Sequence, residues 1–245
     1  GWNVRAAMLA SAAWLALFAL PLLLSAHRIA PPEAVPPARV GLLGAYRTVW
    51  SDLRTEWRRD RNLVFFLLAS AVFRDGLAGV FAFGAVLGVN VYGISAADVL
   101  LFGIAASTVA ALGAIAGGHL DDRVGSKPVI VGSLVALIAI GLTLLVLSGP
   151  VAFWVCGLLL CLFIGPTQSS ARTLLLRMCS DGQEGVAFGL YTMTGRAVSF
   201  LAPWLFFVFV DTFHSDRAGL AGLCVVLGAG LLAMLAVRTP QRSGA

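Results

Sequence analysis

Three charged side chains stand deep inside long apolar runs of this sequence, and they are its first candidates for chemistry. Arg74 and Asp75 lie in one run and Arg196 lies in another. If these runs cross a bilayer, each charge costs about 2.5 to 3.5 kcal/mol at its centre and should face a cavity or a partner. The carboxylate of Asp75 can exchange a proton or bind an ammonium group, and Arg196 can bind a carboxylate. The alternative is a buried pair of Asp75 and Arg196 that only joins two helices.

Neighbouring polar side chains in the apolar runs can add to such a site. Arg74 and Asp75 are adjacent and therefore about 100° apart on a helix, so they do not readily pair side by side. We expect one of them to reach a cavity and the other a neighbouring helix. Gln168 and Tyr191 offer hydrogen bonds to a polar substrate, although such residues more often hold membrane helices together, at about 0.6 kcal/mol each.

One short segment concentrates charge and glycine between two apolar runs. It reads Gly118-His119-Leu120-Asp121-Asp122-Arg123-Val124-Gly125-Ser126-Lys127-Pro128. Gly125 permits a sharp return of the chain, and Asp122 at a helix end can pair with a base or cap a neighbouring helix. Arg123 and Lys127 hold the turn in water on one side of the membrane. We therefore predict a tight turn between two helices.

The composition places these helices in a membrane. Hydrophobic residues make up 59% of the chain and charged residues 12%, against about 25% charged residues in globular domains. A hydrocarbon core about 30 Å thick needs about 20 apolar residues per helix, and the sequence has seven such stretches. They lack the alternation of barrel strands, which predicts an all-α membrane protein with seven transmembrane helices. The predicted spans are residues 4–25, 62–89, 98–117, 128–147, 151–173, 186–210 and 218–237.

Basic residues alternate between the two sides of these spans and so predict the orientation. Most of the 17 Lys and Arg residues follow the first, third, fifth and seventh spans. Because cytoplasmic loops carry an excess of Lys and Arg, we predict a bacterial-type cytoplasmic membrane with the first residue outside and the C-terminus in the cytoplasm. The net charge of +5 thus indicates contact with membrane lipid, and no nucleic-acid partner is expected.

The one long hydrophilic stretch, residues 27–61, contains two different patterns. Its proline-rich start, residues 31–37, is typical of an extended linker. From Gly41 onward, apolar residues recur at spacings of three and four, which predicts an amphipathic helix on the cytoplasmic surface. Such a helix can bind anionic lipid or serve only as a packing lid on the bundle. Its apolar members are Leu42, Tyr46, Val49, Leu53 and Trp57.

Glycine and proline positions predict how the helices pack and bend. Gly-x-x-x-Gly pairs let helices approach closely, and proline inside a span bends it. The pairs are Gly84 with Gly88 and Gly113 with Gly117, and the expected bends are at Gly165-Pro166 and Pro203.

Motifs for catalysis or metal binding are missing from the sequence. The four cysteines have no Cys-x-x-Cys spacing, and the three histidines are scattered. There is no His-Glu-x-x-His, Gly-x-Ser-x-Gly or Gly-x-x-x-x-Gly-Lys string. We therefore predict no enzyme activity, no cofactor and no metal.

The string Gly118-x-Leu120-x-Asp122-Arg123-x-Gly125-x-Lys127 resembles the cytoplasmic loop motif of the major facilitator superfamily of transporters. The resemblance implies that this motif latches one conformation and does not touch substrate, so its residues form a gating loop. The superfamily has two six-helix halves, with the motif after the second span of each. Because the long basic loop matches the central loop of that family, the chain is expected to be helix 6 plus the C-terminal six-helix bundle. The N-terminal half of the transporter is then a missing partner.

Three further strings resemble one branch of that superfamily, the vacuolar-effluxer-like relatives of the fungal autophagy-related amino-acid permease. The chain departs from this branch at Arg74 and Pro166, so the resemblance does not determine the substrate. The strings are Phe73-Arg74-Asp75-Gly76, Gly165-Pro166-x-Gln168 followed by Arg172, and Gly185-x-x-Phe188-Gly189-Leu190-Tyr191-x-x-x-Gly195-Arg196-x-x-Ser199-Phe200-Leu201-x-Pro203.

The expected organisation has four parts. Residues 1–26 form a transmembrane helix, 27–61 the central loop, 62–237 a six-helix bundle and 238–245 a cytoplasmic tail. A signal peptide is the alternative for the first part, but its apolar run is longer than the usual 7 to 15 residues. The resemblance implies a secondary transporter that moves a small polar solute, with amino acids as the candidate, by alternating access. The alternative function is a membrane scaffold or receptor-like protein that keeps the fold without transport.

Overall fold

The computed structural model describes residues 2–25, 54, 60–179 and 182–238. All regular secondary structure in these ranges is helical, and seven helical segments are long and apolar enough to cross a membrane. The all-α membrane fold predicted from the sequence is thereby confirmed. Apart from Arg54, the predicted amphipathic helix lies outside the described residues, as do positions 239–245 of the predicted tail.

The chain divides into two units, Gly1–Arg47 and Thr48–Ala245. In the first unit, helix α1 covers Trp2–Ser25 and includes Pro21. The helices of the second unit are α2 (Arg61–Asn90), α3 (Ala96–Val124), α4 (Ser126–Val146), α5 (Pro150–Met178), α6 (Glu184–Val198), α7 (Leu201–Phe213) and α8 (Asp216–Ala236).

Local side-chain caps determine where α2 and α3 begin. The Asp60 carboxylate accepts hydrogen bonds from the backbone N–H groups of Asn62, at 2.8 Å, and Leu63, at 3.3 Å. The Ser95 hydroxyl accepts one from the N–H of Asp98 at 3.1 Å. Each cap satisfies backbone donors that have no partner inside the first helical turn.

Helix α2 lies at the centre of the second unit. It packs most extensively against α8 and also contacts α6 and α7. Its side chains Phe66, Leu67 and Phe73 are fully buried, together with Leu223 and Leu227 of α8. On the same helix Asp75 is buried and Arg74 is partly buried, so both charged residues lie inside the bundle.

Helices α3 and α5 approach each other so closely that side chains would not fit between them. A Cβ atom at Gly113 would lie 2.1 Å from the Leu162 carbonyl oxygen, and one at Gly165 would lie 2.1 Å from the Ala110 carbonyl oxygen. A Cβ atom at Gly117 would lie 2.5 Å from the Pro166 side chain. The close approach predicted for the Gly113-x-x-x-Gly117 pair is confirmed.

The predicted span at residues 186–210 consists of two helices instead of one. Helix α6 ends at Val198 and α7 begins at Leu201, so that Ser199 and Phe200 lie between them. Pro203 explains the position of this break. It has no N–H to bond the Ser199 carbonyl, and its ring collides with the carbonyl four residues earlier.

Candidate functional site

A polar cavity of about 270 Å³ lies where α2, α5 and α6 meet, next to the break between α6 and α7. All the substrate candidates predicted from the sequence except Tyr191 line it. The lining residues are Arg74, Asp75, Ala78, Gln168, Thr192, Gly195, Arg196 and Ser199.

Asp75 caps the broken helix. Its carboxylate oxygen Oδ2 accepts a hydrogen bond of 2.6 Å from the backbone N–H of Ala202, in the first turn of α7. Phe200, the residue before α7, provides no side-chain cap. The N-terminus of a helix carries a partial positive charge, which favours a carboxylate at this place. The structure records no ion pair between Asp75 and Arg196, the alternative that the sequence left open, among the described residues.

Arg74 is held in place by Tyr191 of α6. Its Nη1 atom donates to the Tyr191 carbonyl oxygen at 3.0 Å, and its guanidinium carbon lies 3.9 Å from the centroid of the Tyr191 ring. A guanidinium over an aromatic face is stabilised by the ring quadrupole. A Cβ atom at Gly195 would lie 3.1 Å from the same Nη1 atom, so glycine makes room for Arg74. Tyr191 is buried and acts behind the cavity wall by positioning Arg74.

The remaining lining groups differ in the hydrogen bonds they can offer. The hydroxyl of Thr192 donates to the Phe188 carbonyl at 2.9 Å, and that of Ser199 donates to the Arg196 carbonyl at 2.8 Å. The side chains of Arg196 and Gln168 make no recorded hydrogen bond with other described residues. Guanidinium and amide N–H groups are therefore the donors available to a solute in the cavity.

A second cavity, of about 240 Å³, lies further along α2 and has an apolar lining that includes Phe81, Phe102 and Phe153. It has no charged lining residue, so it offers little to recognise a polar solute. Elsewhere in the described residues, no group of three or more His, Cys, Asp and Glu side chains could hold a metal ion.

The charged turn, residues 118–128, is built around Asp121. Arg177 of α5 donates from Nη1 to Asp121 Oδ1 at 2.6 Å, and the Ser126 hydroxyl donates to the same oxygen at 2.9 Å. Arg177 Nη1 also donates to the Ser126 hydroxyl oxygen at 2.8 Å. Asp121 is buried, and its second oxygen, Oδ2, has no hydrogen-bond partner among the described residues.

Sequence reasoning missed Asp121, Ser126 and Arg177, but a usable signal was present. Asp121 follows Gly113 and Gly117 at intervals of four residues and therefore shares their face of α3. Since that face packs on α5, it is Asp121 that faces Arg177. The side chain of its neighbour Asp122 is 83% exposed, and its Oδ1 atom lies 4.0 Å from Arg177 Nη2.

The other predicted gating residues occupy the turn as follows. Gly118, Leu120 and Arg123 belong to the last turns of α3, which extends to Val124 and beyond the predicted span. Gly125 alone separates α3 from α4, with φ 93°, a backbone conformation that glycine adopts at no steric cost. Lys127 Nζ donates to the carbonyl oxygens of Leu235 at 3.0 Å and Val237 at 2.6 Å, at the C-terminal end of α8.

These features define an integral membrane protein whose apolar helices carry an open, charged cavity beside a broken helix. The chain belongs to the family described as vacuole effluxer Atg22-like, which matches residues 1–243. The resemblance to this branch of the major facilitator superfamily, predicted from the residue strings, is confirmed.

The chain is also similar to a bacterial protein. The chain is 21% identical over 222 residues to a protein of Bacillus subtilis (strain 168) named as the uncharacterized MFS-type transporter YxiO. The match covers 91% of this chain and 51% of that protein, so the chain spans about half the length of this relative.

Proposed function

We propose that this chain forms one half of a secondary transporter that moves a small polar solute across a membrane by alternating access. The observation that carries the proposal is the cavity in which Arg74, Asp75, Gln168 and Arg196 converge from three helices. Charged residues inside membrane spans are costly, and they commonly mark the path of a substrate or an ion.

The break between α6 and α7 supports the same proposal. Secondary transporters commonly place their binding sites at discontinuous helices, where the freed ends of the half-helices face a polar site. Here the N-terminus of α7 is satisfied by Asp75, which lines the cavity itself. A movement of α7 relative to α6 would therefore change the cavity, which alternating access requires.

The proposal extends to the partner and the orientation. A second six-helix bundle would provide the other wall of the cavity, in line with the relative of about twice this length. The charged turn, with Asp121 bonded to Arg177, would act as a latch on the cytoplasmic side. The membrane would be a bacterial-type cytoplasmic membrane, with amino acids as the first candidates for the solute and a proton gradient or the solute's own gradient as the driving force.

Transport by the full-length protein in liposomes tests this proposal. Uptake of labelled amino acids is measured at two imposed pH gradients, for the native protein and for Asp75→Asn. We expect uptake that depends on the protein, and we expect Asp75→Asn to change its rate or its pH dependence. Asp211→Asn is the matched control, because Asp211 is an exposed carboxylate on α7 that does not line the cavity.

Two outcomes would count against the proposal. If Asp75→Asn left both the rate and the pH dependence unchanged, Asp75 would have no part in coupling. If neither amino acids nor other small polar solutes were taken up, a non-transporting membrane scaffold with this fold would be the better description.

A further inference from the structure

We infer that the polar cavity is an anion site, and that among the polar solutes proposed above it takes those with two oxyanion groups, namely a dicarboxylate, which includes the acidic amino acids, or a phosphate. That the bound anion is a transported solute rests on the function proposed above. The anion site itself rests on the geometry of the cavity. Among the described lining residues, two guanidinium groups and one amide come from three different helices, and the single carboxylate, that of Asp75, has one oxygen bonded to the backbone of α7.

The charges around the cavity are predominantly positive. Arg74 and Arg196 line it, and Asp75 is the one acidic residue among the described lining residues. Arg172, one helical turn beyond Gln168 on α5, is exposed and close enough to Tyr191 for electrostatic interaction. Because guanidinium groups in a membrane span are costly without a counter-charge, this arrangement favours the entry of an anion.

Asp75 attracts the ammonium group of a zwitterionic or cationic solute only weakly, because its charge is partly compensated inside the protein. It is 6% exposed, and its Oδ2 atom holds the N–H of Ala202 at 2.6 Å. The N-terminal dipole of α7 further compensates its charge. Asp75 therefore serves in this inference as the cap of α7, and the ammonium role suggested by the sequence stays a prediction.

The two arginines are suited to different tasks in binding an anion. Arg74 is preorganised, because Tyr191 fixes it through both its carbonyl group and its ring. It keeps further N–H groups after its one recorded hydrogen bond, since a guanidinium has five. Arg196 is exposed and makes no recorded contact with described residues, so it can close on an oxyanion in a bidentate geometry. With Gln168 opposite, a solute with two oxyanion groups would join α2, α5 and α6.

Binding of three ligands with the same four-carbon chain tests the inference directly. Succinate, 4-aminobutyrate and 1,4-diaminobutane carry two negative charges, one of each sign, and two positive charges. Their affinities are measured by calorimetry on the full-length protein in nanodiscs, at low salt and without chloride. We expect succinate to bind at least about tenfold more tightly than 4-aminobutyrate, because one charge-assisted bond is lost, and 1,4-diaminobutane not to bind. Inorganic phosphate as a competitor shows whether the site prefers a carboxylate or a phosphate.

Variants of Arg196 separate an anion site from a general effect of charge. Arg196→Gln should weaken succinate binding by about tenfold or more, and Arg196→Lys should recover part of the loss because it keeps the charge. Arg61→Gln is the control, since it removes an exposed arginine at the start of α2 and should leave the affinity unchanged. Arg196 is preferred to Arg74 because Arg74 also contacts Tyr191, and its loss can disturb folding.

The possible outcomes test the anion site and the transport function separately. Tighter binding of 4-aminobutyrate or 1,4-diaminobutane than of succinate would refute the anion site, and so would Arg196→Gln with native affinity. The absence of binding by both succinate and phosphate would refute it as well. Succinate binding without uptake in liposomes would keep the anion site and reject transport. Uptake of 4-aminobutyrate without succinate binding would keep transport and reject the anion site.

Discussion

Replacement of Asp75 by leucine should release the first turn of α7. Ala202 is fully buried, so its N–H group has no water to bond when the carboxylate is removed. A buried donor without a partner costs about 1 to 3 kcal/mol. That free energy corresponds to about 5- to 150-fold faster hydrogen exchange if the turn opens locally. Asp75→Asn keeps an acceptor and loses only the interaction of the charge with the helix end, about 0.3 to 1 kcal/mol.

Hydrogen–deuterium exchange of the peptide that contains Ala202 measures this effect in the purified protein. We expect the exchange rate to follow the order Leu, Asn and native Asp at position 75. Asp211→Leu removes an exposed carboxylate on the same helix, away from its N-terminus, and should leave the rate unchanged. If Asp75→Leu exchanged no faster than Asp211→Leu, the capping role of Asp75 would be refuted.

Three further predictions concern packing, the charged turn and pH. Gly113→Val should lower the free energy of unfolding by about 1 to 3 kcal/mol in thermal unfolding, because the Leu162 carbonyl oxygen lies 2.1 Å from the new Cβ position. Asp121→Ala should cost about 1 to 3 kcal/mol, because it leaves Arg177 and Ser126 without their shared acceptor, whereas Asp122→Ala should cost less than about 1 kcal/mol. Burial raises the pKa of Tyr92, which precedes α3, against the opposing charge of Arg217. Its neutral form is therefore favoured in the folded protein, and this contribution to stability should be lost as the pH rises above about 10.

Matched variants make each of these results decisive. Gly84→Ala should leave stability nearly unchanged, because no other atom of the described residues lies within 4 Å of its Cβ position, and an equal loss at Gly84 and Gly113 would contradict the packing argument. Equal losses for Asp121→Ala and Asp122→Ala would show that burial does not distinguish the two acids. Tyr92→Phe should remove its part of the high-pH loss, and an unchanged profile would exclude Tyr92 as its source.

Much of the candidate site could be predicted because an ionisable residue in an apolar membrane span must face a cavity or a polar partner. Arg74, Asp75 and Arg196 were selected on that ground and Gln168 for its hydrogen-bonding amide, and all four line one cavity. The role of Asp75 could not be predicted in this way. Its partner is a backbone N–H 127 residues later, and backbone groups have no signature in a sequence.

In the charged turn, too, the sequence predicted the element but not the residue that makes the key contact. Sequence spacing identified the turn and the glycine at position 125, but the family resemblance directed attention to Asp122. One residue corresponds to about 100° on a helix, so the choice between Asp121 and Asp122 depends on which face of α3 packs against α5. The glycines at 113 and 117 mark that face, and only the packed helices show that Arg177 meets it.

The sequence by itself determined the class of this protein, the number of its apolar spans and its family. These properties are local, because the length of an apolar run and the hydrogen bonds within a helix do not depend on distant residues. Tertiary structure alone decided how the charges at the cavity are held, which acid caps α7 and which acid binds Arg177. These properties depend on the relative rotation of packed helices and on a backbone N–H freed by a helix break, and both arise only when distant parts of the chain come together.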